Sequence, residues 1–344
     1  MSYNSIDMFS GCGGLSVGLH KAGFKIMAAL EINSDAVRSY QMNHKKTYVI
    51  QQDIRTVKIV DIKKRLGNKP LHLLAGCPPC QGFSSVRRLN GGNVQDDRNN
   101  LIMEYLRFVK KLRPFTIMME NVPGLTKYFR FKEMVVELER IGYKINYEVV
   151  NVKHYGIPQS RRRLVLVGSR LGEIKIVKGN DQKQVTVRDI IGKMEPTSKT
   201  KDEVHKIYPK HSNKVIKLIK AVPKDGGSRK DLHWRYELEC HKKKNVGFAD
   251  VYGRLSWDKV STTITGGCLN PSKGRFLHPT KNRTITAREA AMLQSFPKRY
   301  KFPTNINKTA LALLIGNALP PKFSYIQSLN IKMHLDGYLQ QKKA

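Results

Sequence analysis

Short apolar runs alternate with longer amphipathic segments through the first half of the chain. Brief apolar runs that end in turn residues are typical of strands covered on both faces in a parallel sheet. The segments between them have the lengths and patterns of helices or connecting loops. This alternation predicts an α/β fold with a doubly wound, mostly parallel sheet. The predicted strands lie at residues 5–9, 24–31, 47–53, 71–76 and 116–122.

Two further apolar runs, residues 143–152 and 164–169, flank the turn-rich segment KHYGIPQSRRR. They predict an antiparallel pair at one edge, which brings the sheet to seven strands. After residue 176 this alternation stops, and lysines, histidines and glycines become more frequent. We predict three parts: a first domain at residues 1–176, a smaller domain with a hinge at 177–301, and a C-terminal segment at 302–344 that carries a helix from about 321 to 339.

The chain is strongly basic, and this charge changes the expected partner. Lysine and arginine number 62 against 27 aspartates and glutamates, which gives a formal net charge of +35. Between residues 206 and 244 there are 12 basic and 4 acidic residues. A charge of this size indicates a polyanion such as nucleic acid as the partner. A generally lysine-rich proteome is the alternative that composition leaves open.

The cysteines indicate neither disulfides nor a metal site. The five cysteines lack the spacing of a small disulfide framework, and we interpret all of them as thiols, with Cys240 and Cys268 as small buried residues. Cys77 and Cys80 form a CxxC, but no second ligand pair follows, so no metal site is predicted.

No apolar stretch approaches the roughly 20 residues of a membrane span. Because MSYNSIDMFSGCGG has no signal-peptide pattern, we expect a cytoplasmic location.

The segment DMFSGCGGLSVGL, residues 7–19, reads as a strand that enters a glycine-rich turn and then a helix. Such a turn lets the backbone approach a ligand, and the helix start offers free N–H donors. A nicotinamide dinucleotide site would use a similar turn. Acids follow at the ends of the second and third strands, Glu31 and Asp53. An acid after the second strand can bind ribose hydroxyls, and one after the third can accept from an adenine amine, so the three features outline an adenosine pocket.

The fourth predicted strand leads into AGCPPCQGFSS, where Cys80 follows two prolines. Open-sheet enzymes place reacting groups at the carboxyl ends of strands, and a thiol there can be a nucleophile if its pKa is lowered. The next strand ends in MMENVPG, which brings Glu120 to the same crevice. In QSRRRLVLVG, Arg161 and Arg163 share one face and Arg162 the other. We interpret the paired arginines as holding Glu120 or a base carbonyl.

These motifs together resemble the ordered series of the bacterial DNA cytosine-5 methyltransferases. The series comprises FSGCGG, Glu31, Asp53, PPCQGFS, ENV, QxRxR, AREAAMLQSFP and IGNALPP, in the unpermuted order. The resemblance covers residues 5–169 and about 251–328 and leaves the middle as the variable target-recognition region. It implies a seven-stranded S-adenosylmethionine-dependent methyltransferase sheet with a smaller target-recognition domain, and a C-terminal segment that returns to the catalytic domain.

The resemblance also implies roles for individual residues. Cys80 attacks carbon 6 of cytosine, and Glu120, Arg161 and Arg163 hold and polarise the ring. A catalytic loop over residues 84–100 closes on the DNA. The residues implied at the S-adenosylmethionine site are Phe9, Gly11, Cys12, Gly13, Gly14, Glu31, Ile32, Asp53, Ile54, Pro79 and Asn317. Those implied in DNA binding are Gln81, Ser84, Ser85, Arg87 and Arg88.

The implied function is methyl transfer to carbon 5 of a flipped-out cytosine in a specific duplex DNA sequence, as part of a restriction–modification system. The chain is then expected to act as a monomer near the nucleoid, with a cognate restriction endonuclease acting separately. A tRNA cytosine-5 methyltransferase on the same scaffold is the first alternative, although its Cys-Phe-Thr triplet is missing. A catalytically silent DNA-binding protein or a dinucleotide oxidoreductase is the second, and both leave Cys80, Glu120 and the arginines unexplained.

Overall fold

The computed structural model describes residues 2–79, 100–180, 184–236 and 250–341. The described residues of Met1–Asn151, Arg162–Gly179 and Leu319–Ala344 form one compact unit, the sheet unit. Those of Val152–Arg161 and Asn180–Ala318 form the second unit. No helix in the described ranges combines the length and the apolar character that a membrane crossing requires.

A seven-stranded sheet organises the sheet unit, with the order β3-β2-β1-β4-β5-β7-β6. Parallel pairing joins β3, β2, β1, β4 and β5, whereas β7 is antiparallel to both β5 and β6. The predicted parallel sheet and its antiparallel edge pair are confirmed. The strands are β1 Tyr3–Met8, β2 Phe24–Leu30, β3 Tyr48–Ile50, β4 Leu73–Gly76, β5 Thr116–Asn121, β6 Lys144–Asn151 and β7 Arg162–Ser169.

The central strands are buried along their whole length, although β1 carries the polar residues Asn4, Ser5 and Asp7. Strands β1, β4 and β5 are buried at every position. The helices in the described part of the sheet unit's N-terminal segment are α1 Gly14–Lys21, α2 Ser34–Asn43, α3 Ile59–Leu66, α4 Leu101–Leu112 and α5 Phe129–Arg140. The second unit then contributes α6 Val187–Ile191, α7 Glu203–Lys206, α8 Asn213–Ala221, α9 Ala287–Leu293 and α10 Lys308–Asn317, and α11 Pro321–Gln341 belongs to the sheet unit.

Helix α11 confirms the helix predicted near the C-terminus, and it packs on α1. A glycine makes this approach close: a Cβ on Gly18 would lie 2.3 Å from Oγ of Ser324. The Ser324 hydroxyl donates to the carbonyl of Leu15 at 2.7 Å. The contact therefore supports the helix that follows the glycine-rich turn.

The second unit consists of short helices and loops around a polar framework. Each of its helices begins at a polar residue whose side chain accepts a backbone N–H of the first turn, which satisfies a donor that the helix leaves open. These caps are Thr186, Asp202, Ser212, Thr286 and Asn307. The guanidinium of Arg254 is fully buried. It donates to the carbonyls of Ile219 and Val222 at 2.7 and 3.0 Å, and so fixes the end of α8.

Candidate active site

The carboxyl ends of β1 and β4 meet at the centre of the sheet, where the strand order reverses. Open α/β sheets bind their ligands at this position. The backbone N–H of Cys77 donates to the carbonyl of Met8 at 3.2 Å. A Cβ on Gly76 would lie 2.9 Å from that same oxygen, so only glycine allows this approach. The glycine-rich turn after β1 and the proline-rich segment after β4 are therefore neighbours.

The glycine-rich turn adopts the left-handed backbone that its composition predicts. Phe9, Gly11 and Gly13 have φ angles of 58°, 54° and 97°. The N–H of Gly13 donates to the carbonyl of Ser10 at 2.9 Å, and α1 begins at the next residue. A Cβ on Gly11 would meet no atom within 4 Å. The turn thus leaves space in front of its backbone, as a cradle for a ligand requires.

Glu31 lies beside this turn and is bonded to it. Its carboxylate accepts from the N–H of Gly11 and the N–H of Asn33, both at 2.8 Å. The following residue, Ile32, exposes 62% of its surface, which is unusual for a large apolar side chain. The hydroxyl of Ser10 is buried and has no hydrogen-bond partner among the described residues. A carboxylate, an exposed apolar side chain and an unsatisfied hydroxyl thus lie at or next to the glycine-rich turn.

Asp53 follows β3 as the sequence predicts, but its carboxylate is engaged. Arg55 Nη2 lies 2.5 Å from Oδ2, and these hydrogen bonds lower the pKa of Asp53. Ile54 is buried in the core, and its carbonyl accepts from Arg107 at 2.7 Å. A ligand amine that used Asp53 would have to share it with Arg55.

Asp7 was not singled out from the sequence, although it is the one acid in the buried strand β1. It is fully buried on β1, and its Oδ2 accepts from the Ser16 hydroxyl at 2.6 Å. Ser16 Oγ also lies 2.7 Å from the hydroxyl of Tyr40. Desolvation, with a smaller contribution from the nearby charge of Glu31, raises the pKa of Asp7 to about 7. This chain of three polar groups joins β1, α1 and α2 beneath the glycine-rich turn.

Glu120 and Arg163 form the charged part of the site. Arg163 Nε lies 2.7 Å from Glu120 Oε1, and the two side chains expose 16% and 7% of their surface. Oε1 nevertheless accepts no well-aligned hydrogen bond among the described residues. The side chain of Asn121 donates to the carbonyl of Pro78 at 2.9 Å. Glu120 is therefore held by Arg163 at the end of β5, next to the proline-rich segment.

The two arginines that the sequence pairs have different partners. Arg161 is buried, and its Nη1 donates to the carbonyls of Ile264 and Gly316 at 2.9 Å each. Those contacts lie within the second unit, whereas Arg163 forms the ion pair with Glu120, and a role of Arg161 in holding Glu120 or a base carbonyl stays a prediction. The arginine between them is exposed, as the alternation predicts.

Some of the remaining predicted residues lie outside the described ranges. Pro79 is described and half-buried, and Asn317 lies exposed at the end of α10 in the second unit. Cys12 and Cys268 are buried, and burial raises the pKa of each thiol to about 12, which makes both poor nucleophiles. Those that lie outside the described residues are Cys80, Gln81, Ser84, Ser85, Arg87, Arg88 and Cys240.

Comparison with known proteins adds an independent line of evidence. The family model for C-5 cytosine-specific DNA methylases matches residues 3–331. Type II methylase M.HgiDII of Herpetosiphon aurantiacus is 34% identical over 98% of this chain and 97% of its own length. Type II methyltransferase M1.HphI of Haemophilus parahaemolyticus is 32% identical over 93% of this chain and 84% of its own.

Solved structures share the fold at lower sequence identity. A structure described as a DNA modification methyltransferase encoded within a prophage in E. coli is 24% identical, with a TM-score of 0.74 and coverage of 97% of this chain and 99% of that one. The Dnmt2 methyltransferase of S. pombe is 21% identical, with a TM-score of 0.68 and coverage of 97% and 99%. At these identities the structures support the fold alone.

Proposed function

The chain belongs to the C-5 cytosine-specific DNA methylase family and is a DNA (cytosine-5-)-methyltransferase, and we propose that it methylates a flipped-out cytosine with the crevice described above. The observation that carries this assignment of the site is Glu120, whose carboxylate lies at the end of β5 against Arg163 and beside the proline-rich segment. The Type II names of the similar bacterial proteins support a role in restriction–modification.

The family's cofactor is S-adenosylmethionine, which when bound supplies an activated methyl group. The residues around the glycine-rich turn fit an adenosine-containing ligand. Glu31 can accept from ribose hydroxyls while it retains the Gly11 N–H bond, because a carboxylate has about four acceptor positions. The exposed side chain of Ile32 offers an apolar surface to a flat ring. Asp53, Ile54, Pro79, Asn317 and the turn residues Phe9, Cys12, Gly13 and Gly14 complete the proposed set.

Cytosine needs activation because its carbon 5 is a weak nucleophile. In the proposed reaction the Cys80 thiolate adds to carbon 6, and the ring electrons move to carbon 5, which takes the methyl group. The proton of carbon 5 then leaves and the thiolate is expelled, which restores the aromatic ring. Glu120 binds the polar edge of the base through its carboxylate, and Arg163 holds that carboxylate in place. Electrostatic groups of this kind contribute roughly 3–4 kcal/mol to comparable reactions.

The remaining proposals concern partners. The net charge of +35 supports duplex DNA as the substrate, and we propose that the second unit reads the target sequence. A separate restriction endonuclease and a monomeric enzyme complete this proposal. Gln81, Ser84, Ser85, Arg87 and Arg88 follow the nucleophile directly in sequence and are proposed to contact the DNA.

The test is covalent trapping on duplex DNA that carries 5-fluorocytosine. With S-adenosylmethionine present, the wild-type protein should form a stable adduct, since fluorine blocks loss of the group on carbon 5. Cys80→Ser should form none, whereas the matched variant Cys268→Ala should react like the wild type. A second arm offers tRNA in place of duplex DNA and measures methyl transfer to it. Methyl transfer to tRNA but not to duplex DNA would replace the proposed substrate. Absence of both the adduct with the 5-fluorocytosine duplex and methyl transfer to tRNA would refute the mechanism.

A further inference from the structure

The second unit contains a short hairpin whose tip, residues 279–282, is held by two cationic side chains. Leu277 pairs antiparallel with Thr284, and this pair closes the hairpin. Lys224 Nζ donates to the carbonyl of Thr280 at 2.5 Å. Arg254 Nη1 donates to the carbonyl of Lys281 at 2.7 Å. The two cations thus fix the tip through backbone carbonyls. Because carbonyls carry no net charge, these contacts do not neutralise the positive charges.

Three cations meet at this tip without an acidic partner. Lys224, Arg254 and the exposed Lys281 form no ion pair with any carboxylate in the described ranges. Burial lowers the pKa of Lys224, and repulsion from Arg254 and Lys281 lowers it further. The hairpin tip is therefore an electrostatically strained cluster that a bound anion would relieve.

The nearby acid and histidine do not neutralise the cluster. Glu289 accepts two hydrogen bonds from Arg283 at 2.8 Å, so its charge is already paired. Burial lowers the pKa of His278 to about 4, with Arg283 and Lys281 adding to the effect and Glu289 opposing it. His278 is therefore uncharged at neutral pH. The excess positive charge remains at the tip.

A groove of about 740 Å³ lies against the hairpin and gives an anion access to it. Lys210, Lys281 and the uncharged His278 line it, together with the acids Glu195 and Glu289, of which Glu289 is paired with Arg283. The side chains of Lys210 and Lys281 are exposed. Exposed lysines that reach phosphate oxygens are typical of surfaces that contact a DNA backbone.

We propose that the hairpin tip is a phosphate clamp, in which Lys281, with Lys224 and Arg254 behind it, binds a phosphodiester of the DNA backbone. This inference rests on the proposed function, because it names the surface of the second unit that contacts the substrate. A backbone contact positions the protein and adds affinity without reading sequence. The clamp therefore contributes equally to cognate and non-cognate duplexes.

The test is fluorescence anisotropy with a labelled duplex over a series of salt concentrations. Each phosphate contact contributes about 0.9 to the slope of log K against log salt. Lys281→Gln should lower that slope by about 0.9, so a tenfold increase in salt weakens the variant about eightfold less than the wild type. Lys281 is exposed, so thermal melting should show unchanged stability. Lys298→Gln, which removes one exposed charge elsewhere in the second unit, is the matched control and should leave the slope as it is.

The possible outcomes separate this inference from the proposed function. A wild-type protein that neither binds nor methylates duplex DNA contradicts the proposed function. A wild type that does both, with equal slopes for it and Lys281→Gln, overturns only the clamp. Equal losses in Lys281→Gln and Lys298→Gln also overturn it, because the effect would then follow net charge. Inorganic phosphate forms the last arm: if Lys281 governs binding of free phosphate but not of duplex, the site serves a small anion and the clamp is wrong.

Discussion

The buried carboxyl of Asp7 should make the stability of the sheet unit depend on pH. Its pKa rises from an ordinary value near 4 to about 7, chiefly because burial penalises the charged form. Between these values the folded protein keeps a proton that the unfolded chain has released. The stabilising contribution is therefore complete below about pH 4, declines as the pH rises, and is fully lost above about pH 7.

The magnitude follows from the size of that rise. Each tenfold change in a protonation constant corresponds to about 1.4 kcal/mol, so the whole effect is about 4 kcal/mol. Roughly 3 kcal/mol of it falls between pH 5 and pH 8, because the rise from pH 5 to 7 spans two of the three pH units. Asp7→Asn removes the titration while it keeps an oxygen for the Ser16 hydroxyl. The wild type should therefore lose stability relative to Asp7→Asn over this range.

The assay is urea unfolding followed by far-UV circular dichroism at several pH values from 5 to 8.5. The difference in unfolding free energy between Asp7→Asn and the wild type should grow with pH and level off above about pH 7. Asp61→Asn, which replaces an exposed aspartate on α3, controls for loss of a surface carboxylate and should run parallel to the wild type. Parallel curves for Asp7→Asn as well would refute the reasoning, because they would show that Asp7 ionises alike in both states.

Three further predictions concern the site and the second unit. Glu120→Gln should slow methyl transfer by about 10² to 10³ with duplex binding retained, as single-turnover and anisotropy assays would show; an unchanged rate would remove Glu120 from the mechanism. Gly316→Ala would place a Cβ 2.0 Å from the carbonyl carbon of Thr265, so thermal melting should show a large loss of stability. Arg254→Lys keeps the charge but loses most of five hydrogen bonds, and a melting temperature equal to that of the wild type would contradict its structural role.

The sequence predicts the sheet well because burial on both faces leaves a continuous apolar signal. Strand β5 was expected at residues 116–122 and spans Thr116–Asn121. Strand β3 was expected at residues 47–53 but spans only Tyr48–Ile50. It ends early because Asp53 begins a turn, in which its carbonyl accepts from the N–H of Thr56 at 2.9 Å. A one-dimensional pattern does not show where a backbone exchanges sheet hydrogen bonds for turn bonds.

Side-chain partners were harder to predict than the elements that carry them. The net charge predicts a polyanionic partner, yet not every arginine is at the surface: Arg254 is completely buried and bonded to backbone carbonyls. The acid at Asp53 was placed correctly after its strand, but its pairing with Arg55 depends on a local turn. Sequence motifs locate positions along the chain. The partner of a long flexible side chain depends on tertiary contacts that no spacing encodes.

The segment QSRRR illustrates how one motif serves both units. Gln159 accepts from the N–H of Ile264 and donates to Gln294, each at 2.8 Å, and Arg161 donates to the carbonyl of Ile264. These contacts lie within the second unit, whereas Arg163 binds Glu120 within the sheet unit. The chain passes from one unit to the other between residues 161 and 162. The alternate spacing, which predicts that both arginines hold Glu120 or a base carbonyl, thus places Arg161 among backbone carbonyls of the second unit and Arg163 against Glu120 in the sheet unit.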